Sequence, residues 1–187
     1  MFALLLAAAT ALPGARLQTP APSALRLIAH GDTVTVFLVA APPRGGGFVV
    51  YRGPVGGAMV KVTAEPVRAA ASGAEAAGII GADLLTVERD VQAPDAEGMY
   101  RRLRLDAFAG VVLSALYPKV GIALGRIYAD TGLTRGARVA YRVVMTDAAG
   151  RETDRVLTGT VEVVDHPPPP PNDLKSEVAD HAATVSW

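Results

Sequence analysis

The chain has 187 residues, and its 18 Lys and Arg residues balance its 18 Asp and Glu residues, so the formal net charge is zero. Half of the residues are hydrophobic but only 5% are aromatic, so a core of one-domain size is expected to consist mainly of aliphatic side chains. No basic run is present that would track a phosphate backbone, so nucleic acid is not an expected partner. The absence of cysteine excludes disulfides, thiolate metal sites and cysteine nucleophiles.

The N-terminus has the pattern of an export signal. A short apolar run, Phe2–Ala9, is followed by the small-x-small sequence Ala9-Thr-Ala11, so residues 1–15 are predicted to be a signal peptide. No basic residue precedes the run, and a disordered alanine-rich N-terminus is the alternative. An exported protein is therefore expected, located in the periplasm, at the cell surface or in the medium.

No membrane span is predicted. The run Phe2–Ala9 is too short for a bilayer core of ~30 Å. A second apolar stretch, residues 111–129, is interrupted by Pro118 and by two basic residues, which argues against a membrane helix.

The first third of the chain reads as strands. A short edge strand is predicted at 24–28, and residues 32–39 alternate Thr outward with Val inward, which is the period of a half-buried strand. A Gly/Pro turn at 41–47 leads to further strands at 48–52 and 59–63. Short strands separated by Gly and Pro favour a β-sandwich.

The pattern becomes helical from about residue 67 to 130. Leu84, Val87 and Val91 have helical spacing, Pro94-Asp95 is a helix start, and Pro118 begins another helix that is predicted to run from Lys119 to Tyr128. One helical face is predicted to be core, against the sandwich or a neighbouring helix, with a partner surface as the alternative. That face contains Leu105, Phe108, Val112 and Leu116.

Strands resume after the helical segment. Residues 138–146 alternate again, Asp147–Gly150 is predicted to be a hairpin turn, and 155–164 is the partner strand. Residues 166–171 are predicted to be a stiff proline linker of the polyproline type.

The chain repeats part of itself at an offset of 149 residues. The repeated positions are Pro20, Pro22, Leu25, Thr35 and Val36, which recur as Pro169, Pro171, Leu174, Thr184 and Val185. Residues 172–187 are therefore predicted to be the truncated start of a second module in a tandem array.

Several segments resemble the fibronectin type III family. Phe48–Arg52 is similar to its third strand, 139–150 to its sixth strand and the following turn, and 178–187 to its second strand, which ends in a buried tryptophan. In the first module, Leu38 stands where that family has tryptophan. The resemblance implies a mainly β, immunoglobulin-like sandwich over residues 20–165, with an α-helical insertion at about 67–131.

The resemblance also implies which residues form the core. Tyr141 is expected to lie on the core side of its strand and to anchor the loop before it. The core residues expected from the resemblance are Leu38, Tyr51, Tyr141 and Trp187. Phe108 is added as an expected core residue from the helical spacing described above.

No recognisable catalytic constellation is present. His30, His166 and His181 lack the spacing of a zinc site, so no metal ligation and no cofactor are expected, and the chain is not expected to be an enzyme. The helical segment carries a group of acidic residues whose spacing fits no calcium loop. Paired carboxylates for acid–base chemistry or Ca²⁺ are the alternative to a solvated face with local ion pairs. The group consists of Asp83, Glu88, Asp90, Asp95 and Glu97.

These features predict a non-enzymatic extracellular spacer and interaction module of a tandem-repeat exported protein. Its expected partners are the neighbouring modules of the same chain and a protein or glycan. The alternative is an accessory domain of a secreted polysaccharide- or protein-degrading enzyme with its catalytic domain beyond Trp187. A third hypothesis makes the helical insertion a ligand-binding cap.

Overall fold

The computed structural model describes residues 24–164 and the backbone of 175–179 and 182–186. The predicted signal peptide, the proline linker and Trp187 lie outside the described residues. Within residues 24–164, strand accounts for 34% and helix for 31% of the residues. The fold is therefore mixed, with nearly as much helix as strand, where the sequence predicted a mainly β protein.

The strands between 24 and 164 form two antiparallel sheets. They are β1 (Leu25–His30), β2 (Thr33–Leu38), β3 (Gly47–Pro54), β4 (Val60–Lys61), β5 (Val67–Arg68), β6 (Ile127–Asp130), β7 (Arg138–Thr146) and β8 (Glu152–Glu162). The first sheet has the order β1-β2-β6. The second has the order β4-β3-β7-β8, and β5 also pairs with β3.

The two sheets share one core, and they join regions that are distant in the sequence. Val50 on β3 lies opposite Val143 on β7, so the predicted pairing of the two strand-forming regions is confirmed. Leu38 and Tyr141 are fully buried in this core, as predicted. We call it the sheet core; its buried residues are Leu25, Val34, Val36, Leu38, Phe48, Val50, Val139, Tyr141, Val143, Met145 and Val163.

The helical region, residues 73–123, contains five α-helices. They are α1 (Gly73–Ile80), α2 (Leu84–Asp90), α3 (Ala96–Leu105), α4 (Ala107–Leu116) and α5 (Pro118–Ala123). Ser72, Asp95 and Asp106 each accept a hydrogen bond from the backbone N–H three residues on, which satisfies one free donor at the start of α1, α3 and α4. Pro118 occupies the first turn of α5, where no backbone N–H is needed.

The helices enclose a second core of their own. Helix α1 packs against α3 and α5, and α4 packs against α5. Leu84, Val87 and Val91 all face this helical core, as their spacing predicted. Its buried residues are Ala70, Ala76, Ile80, Val87, Val91, Met99, Tyr100, Leu103, Leu113, Val120, Ala123 and Leu124.

The helical region is shorter than the insertion that the sequence predicted, because residues 127–130 form strand β6 and not the end of a helix. Helix α5 ends in a paired hydrogen-bond closure, in which the N–H of Arg126 bonds to the carbonyl of Gly121 and the N–H of Gly125 to that of Ile122. Gly125 has a φ of +62°, which this closure requires. The chain then pairs with the free edge of β2, where Ile127 lies opposite Phe37.

The C-terminal strands β9 (Lys175–Ala179) and β10 (Ala182–Ser186) form an antiparallel hairpin. Val178 lies opposite Ala183, and in the first hairpin Ala29 lies opposite Val34. The numbers of Val178 and Ala183 are each 149 higher than those of Ala29 and Val34. The two hairpins therefore have the same pairing register at the offset that the sequence repeat shows.

Candidate functional site

A buried polar network ties the two sheets together at the end of β6. Asp130 accepts hydrogen bonds from the Tyr141 hydroxyl at 2.7 Å and from Nη1 of Arg52 at 2.8 Å. Burial raises the pKa of Tyr141, and the hydrogen bond to Asp130 raises this pKa further. Because the loop at 131–137 separates Asp130 from β7, the bond anchors the loop before Tyr141, as the family resemblance implied.

Tyr51 is not a core residue. Phe48 and Val50 point into the sheet core, so the two-residue period of β3 places Tyr51 on the outer face of its sheet. There its hydroxyl donates to Glu152, and the Arg142 guanidinium lies 4.6 Å from the centre of its ring. This arrangement is a cross-strand cluster on a sheet face.

The prediction that Phe108 is buried is also wrong. Phe108 is 78% exposed, Leu105 is 68% exposed and Leu116 is 65% exposed. The buried face of α4 consists instead of Gly110, Leu113 and Ser114.

Close backbone packing explains this choice of face. A methyl group at Gly110 would lie 2.6 Å from the carbonyl oxygen of Leu103, so only glycine permits this approach. The Ser114 hydroxyl donates to the Gly110 carbonyl at 2.6 Å and so needs no other partner. Gly110 and Ser114 therefore face the helical core beside Leu113, whereas Phe108 and Leu116 face outward.

We call Leu105, Phe108, Val112 and Leu116 the apolar stripe. A groove of about 320 Å³ runs beside it, between Phe108 and the segment that follows α2. Arg102 closes the far side of this groove by donating to the carbonyls of Val91 and Gln92. The groove therefore has an apolar wall and satisfied backbone carbonyls, which suits contact with apolar side chains.

Two of the five predicted acidic residues, Asp95 and Glu97, bond to backbone N–H groups at the starts of helices. The Asp95 carboxylate accepts from the N–H of Gly98 at 2.7 Å, and Glu97 accepts from the N–H of Gly73 at 2.7 Å. Asp90 accepts from the Tyr117 hydroxyl. Within the part of the chain that the structure describes, no three potential metal-ligating side chains lie together, and no helix has the length and apolar character to cross a bilayer.

Two buried charged residues, Asp130 and Arg126, were missed by the sequence reasoning. Nothing in the sequence distinguishes Asp130 from a surface carboxylate at a strand end. Arg126 does carry a signal, because it is an isolated charge in the apolar stretch 120–127, and such a residue is either paired or functional when buried.

Comparison with known proteins gives no matching family, no similar curated protein and no similar solved structure. The function is therefore argued from the geometry of this chain alone.

Proposed function

We propose that the chain is a non-enzymatic spacer and interaction module of an exported tandem-repeat protein. In this proposal its two sheets are an immunoglobulin-like sandwich of the fibronectin type III kind, and the helical region is an insertion between strands of that sandwich. The proposal is supported by the arrangement of the sheets, which are antiparallel, contain three and four principal strands, and share one core.

The main support for a tandem repeat is the pairing register of the two hairpins. The pairing of β9 with β10 reproduces that of β1 with β2 at the same offset as the repeated sequence. A proline-rich segment joins the two units, and such a segment acts as a semi-rigid spacer. A row of sandwiches joined in this way would hold its neighbours at defined distances.

The apolar stripe supports the interaction part of the proposal. Its three exposed large side chains lie within twelve residues of one another, at the end of α3 and along α4, whereas isolated exposed hydrophobic residues are ordinary on protein surfaces. The helical core is already closed without them. We assign the stripe to contact with a protein, either a neighbouring module or a separate partner.

A comparison of melting temperatures tests the spacer proposal. A protein that ends at Val164 should melt at the same temperature as the 187-residue chain, because a spacer module folds independently of its neighbours. A fall of several degrees in the shorter protein would contradict an autonomous module. A gene sequence that encodes a catalytic domain after Trp187, and no further copies of the module, would favour the accessory-domain alternative.

The contribution of the stripe is tested by chemical cross-linking of the exported protein in its native setting. The Phe108→Ser variant should lose a specific cross-linked partner that the Val60→Ser variant retains. Val60 is a matched control because it is a similarly exposed apolar residue on β4, outside the helical region. Equal cross-linking by both variants would show that the apolar stripe does not take part in the interaction.

A further inference from the structure

Arg126 is a buried cation with no anionic partner among the described residues. It is 4% exposed, and Nη1 donates to the carbonyl oxygens of Leu38 at 3.4 Å and Val39 at 2.6 Å. Its Nε makes no hydrogen bond. Burial lowers the pKa of Arg126, which reflects the cost of holding its charge away from water.

The unused donors of Arg126 lie on one edge of its guanidinium group. A guanidinium presents five N–H donors in a fixed planar fork, and its Nε–H and one Nη2–H point in the same direction. Neither donor of this edge has an acceptor within residues 24–164, since Nε makes no hydrogen bond there and Nη2 donates to no described residue. Two parallel donors of this kind match the two oxygens of a carboxylate or of a phosphate.

Arg126 lines a cavity together with two further arginines, Arg68 and Arg104. The cavity has a volume of about 360 Å³, within the range of small-ligand sites, and lies between the turn after β2 and helix α3. Arg68 is held at one side by the carbonyls of Gly45 and Ala148, and Arg104 lies beside the ring of Tyr100 at the other. No acidic residue lines the cavity, so its charged lining is entirely positive.

We propose that this cavity, the arginine pocket, binds a small ligand through an oxyanionic group, either a carboxylate or a phosphate. The Nε–Nη2 edge of Arg126 would hold two oxygens of the group, with a small shift of the surrounding side chains to admit it. Arg68 and Arg104 would supply the remaining positive charge at the mouth. The site lies apart from the apolar stripe and does not depend on the proposed spacer function.

The binding test uses the 187-residue protein and isothermal titration calorimetry at fixed ionic strength. The probes are inorganic phosphate, D-glucuronate as a carboxylate carried on a sugar, and D-glucose as a neutral counterpart of similar size. We expect at least one anion to bind with 1:1 stoichiometry and glucose not to bind. Phosphate alone would identify a phosphate site, and glucuronate alone would identify a carboxylate site.

Substitutions of four arginines test whether the anion binds in the arginine pocket. Arg104→Gln and Arg68→Gln should each weaken binding about tenfold, because each removes a charge-assisted contact. Arg89→Gln makes the same change of charge on an exposed residue of α2 outside the pocket, and it should leave the affinity unchanged. Arg126→Lys keeps the charge but removes the two-donor edge, so it should weaken binding by more than tenfold.

The proposal is overturned if neither anion binds at millimolar concentrations, or if glucose binds as well as glucuronate. It is also overturned if Arg89→Gln weakens binding as much as Arg104→Gln does, since the effect would then be one of net charge. If Arg126→Lys does not give the circular dichroism spectrum of the folded chain, the variants of Arg68 and Arg104, which are both exposed, decide the question.

Discussion

The sheets and the helical region select their buried residues by different rules. At the start of β2, burial follows the alternation of side chains, so that Val34 and Val36 are inside while Thr33 and Thr35 are only partly covered. In α4, hydrophobicity does not decide which residues are buried: Gly110 and Ser114 face inward beside Leu113, while Phe108 faces outward. Hydrophobicity alone therefore identifies the core of the strands but does not identify the inner face of this helix.

The difference follows from what each element must pack against. A strand has two faces, and only one of the two in β2 can meet the opposite sheet, so alternation fixes the core side. Helix α4 is apolar nearly all round, so its sequence does not define one buried face. The close approach of the α3 backbone then favours the side that carries Gly110. The large residues left outside form the apolar stripe.

The largest expected effect on stability distinguishes a buried leucine of the sheet core from an exposed leucine of the apolar stripe. Leu38→Ala should lower the free energy of unfolding by about 2–5 kcal/mol, because it opens a cavity in the sheet core. Leu105→Ala in the apolar stripe should change it by less than about 0.5 kcal/mol, because that side chain is largely in solvent. Urea unfolding measures both values, and equal losses would show that Leu105 is buried in solution.

Two glycines of the helical region should respond with opposite signs. Gly125→Ala should destabilise by about 1–3 kcal/mol, because φ is positive there and a methyl group would meet the backbone of Ala69. Gly78→Ala should stabilise by about 0.4–1 kcal/mol, because Gly78 is exposed inside α1 and has open space around it. Thermal unfolding of the two variants checks this, and a stabilising Gly125→Ala would refute the observed end of α5.

Alkaline pH should weaken both cores through their buried tyrosines. Burial is the main cause that raises the pKa of Tyr141 in the sheet core and of Tyr100 in the helical core. Each phenol therefore keeps its proton in the folded state at a pH where the unfolded chain, with a pKa of about 10, releases it. The stability that this contributes is fully present below pH 10 and is lost as the pH rises above it.

Absorbance at 295 nm and circular dichroism, followed together against pH, measure this effect. Ionisation of the buried phenols should coincide with loss of the folded signal. The Tyr141→Phe variant should show a weaker dependence of stability on pH above 10, because it has one fewer proton to release. Ionisation of all five tyrosines with a midpoint near pH 10 and an unchanged fold would contradict the burial of Tyr100 and Tyr141.

The strands were predictable because their signals are local. Strand β7 has the predicted bounds, 138–146, and Gly150 takes the positive φ that the predicted turn after Asp147 allows. The helix starts at Asp95 and Pro118 were also visible in the sequence, since capping residues and prolines act within one turn.

The remaining features depend on contacts between distant segments. Whether 127–130 continues a helix or joins a sheet depends on the free edge of β2, which lies about ninety residues earlier in the chain. The outward position of Phe108 depends on how closely α3 approaches Gly110, and the orphaned edge of Arg126 depends on which carbonyls occupy its other nitrogen. A single sequence records none of these distances.

The smallest expected change in stability gives the most direct test of the difference between the sheets and the helical region. Phe108→Asp places a charge on α4, and the melting temperature separates the two possible outcomes. Because the side chain is exposed, the free energy of unfolding should change by less than about 0.5 kcal/mol. A loss of several kcal/mol would mean that Phe108 is buried in the folded chain, and it would contradict an outward-facing apolar stripe.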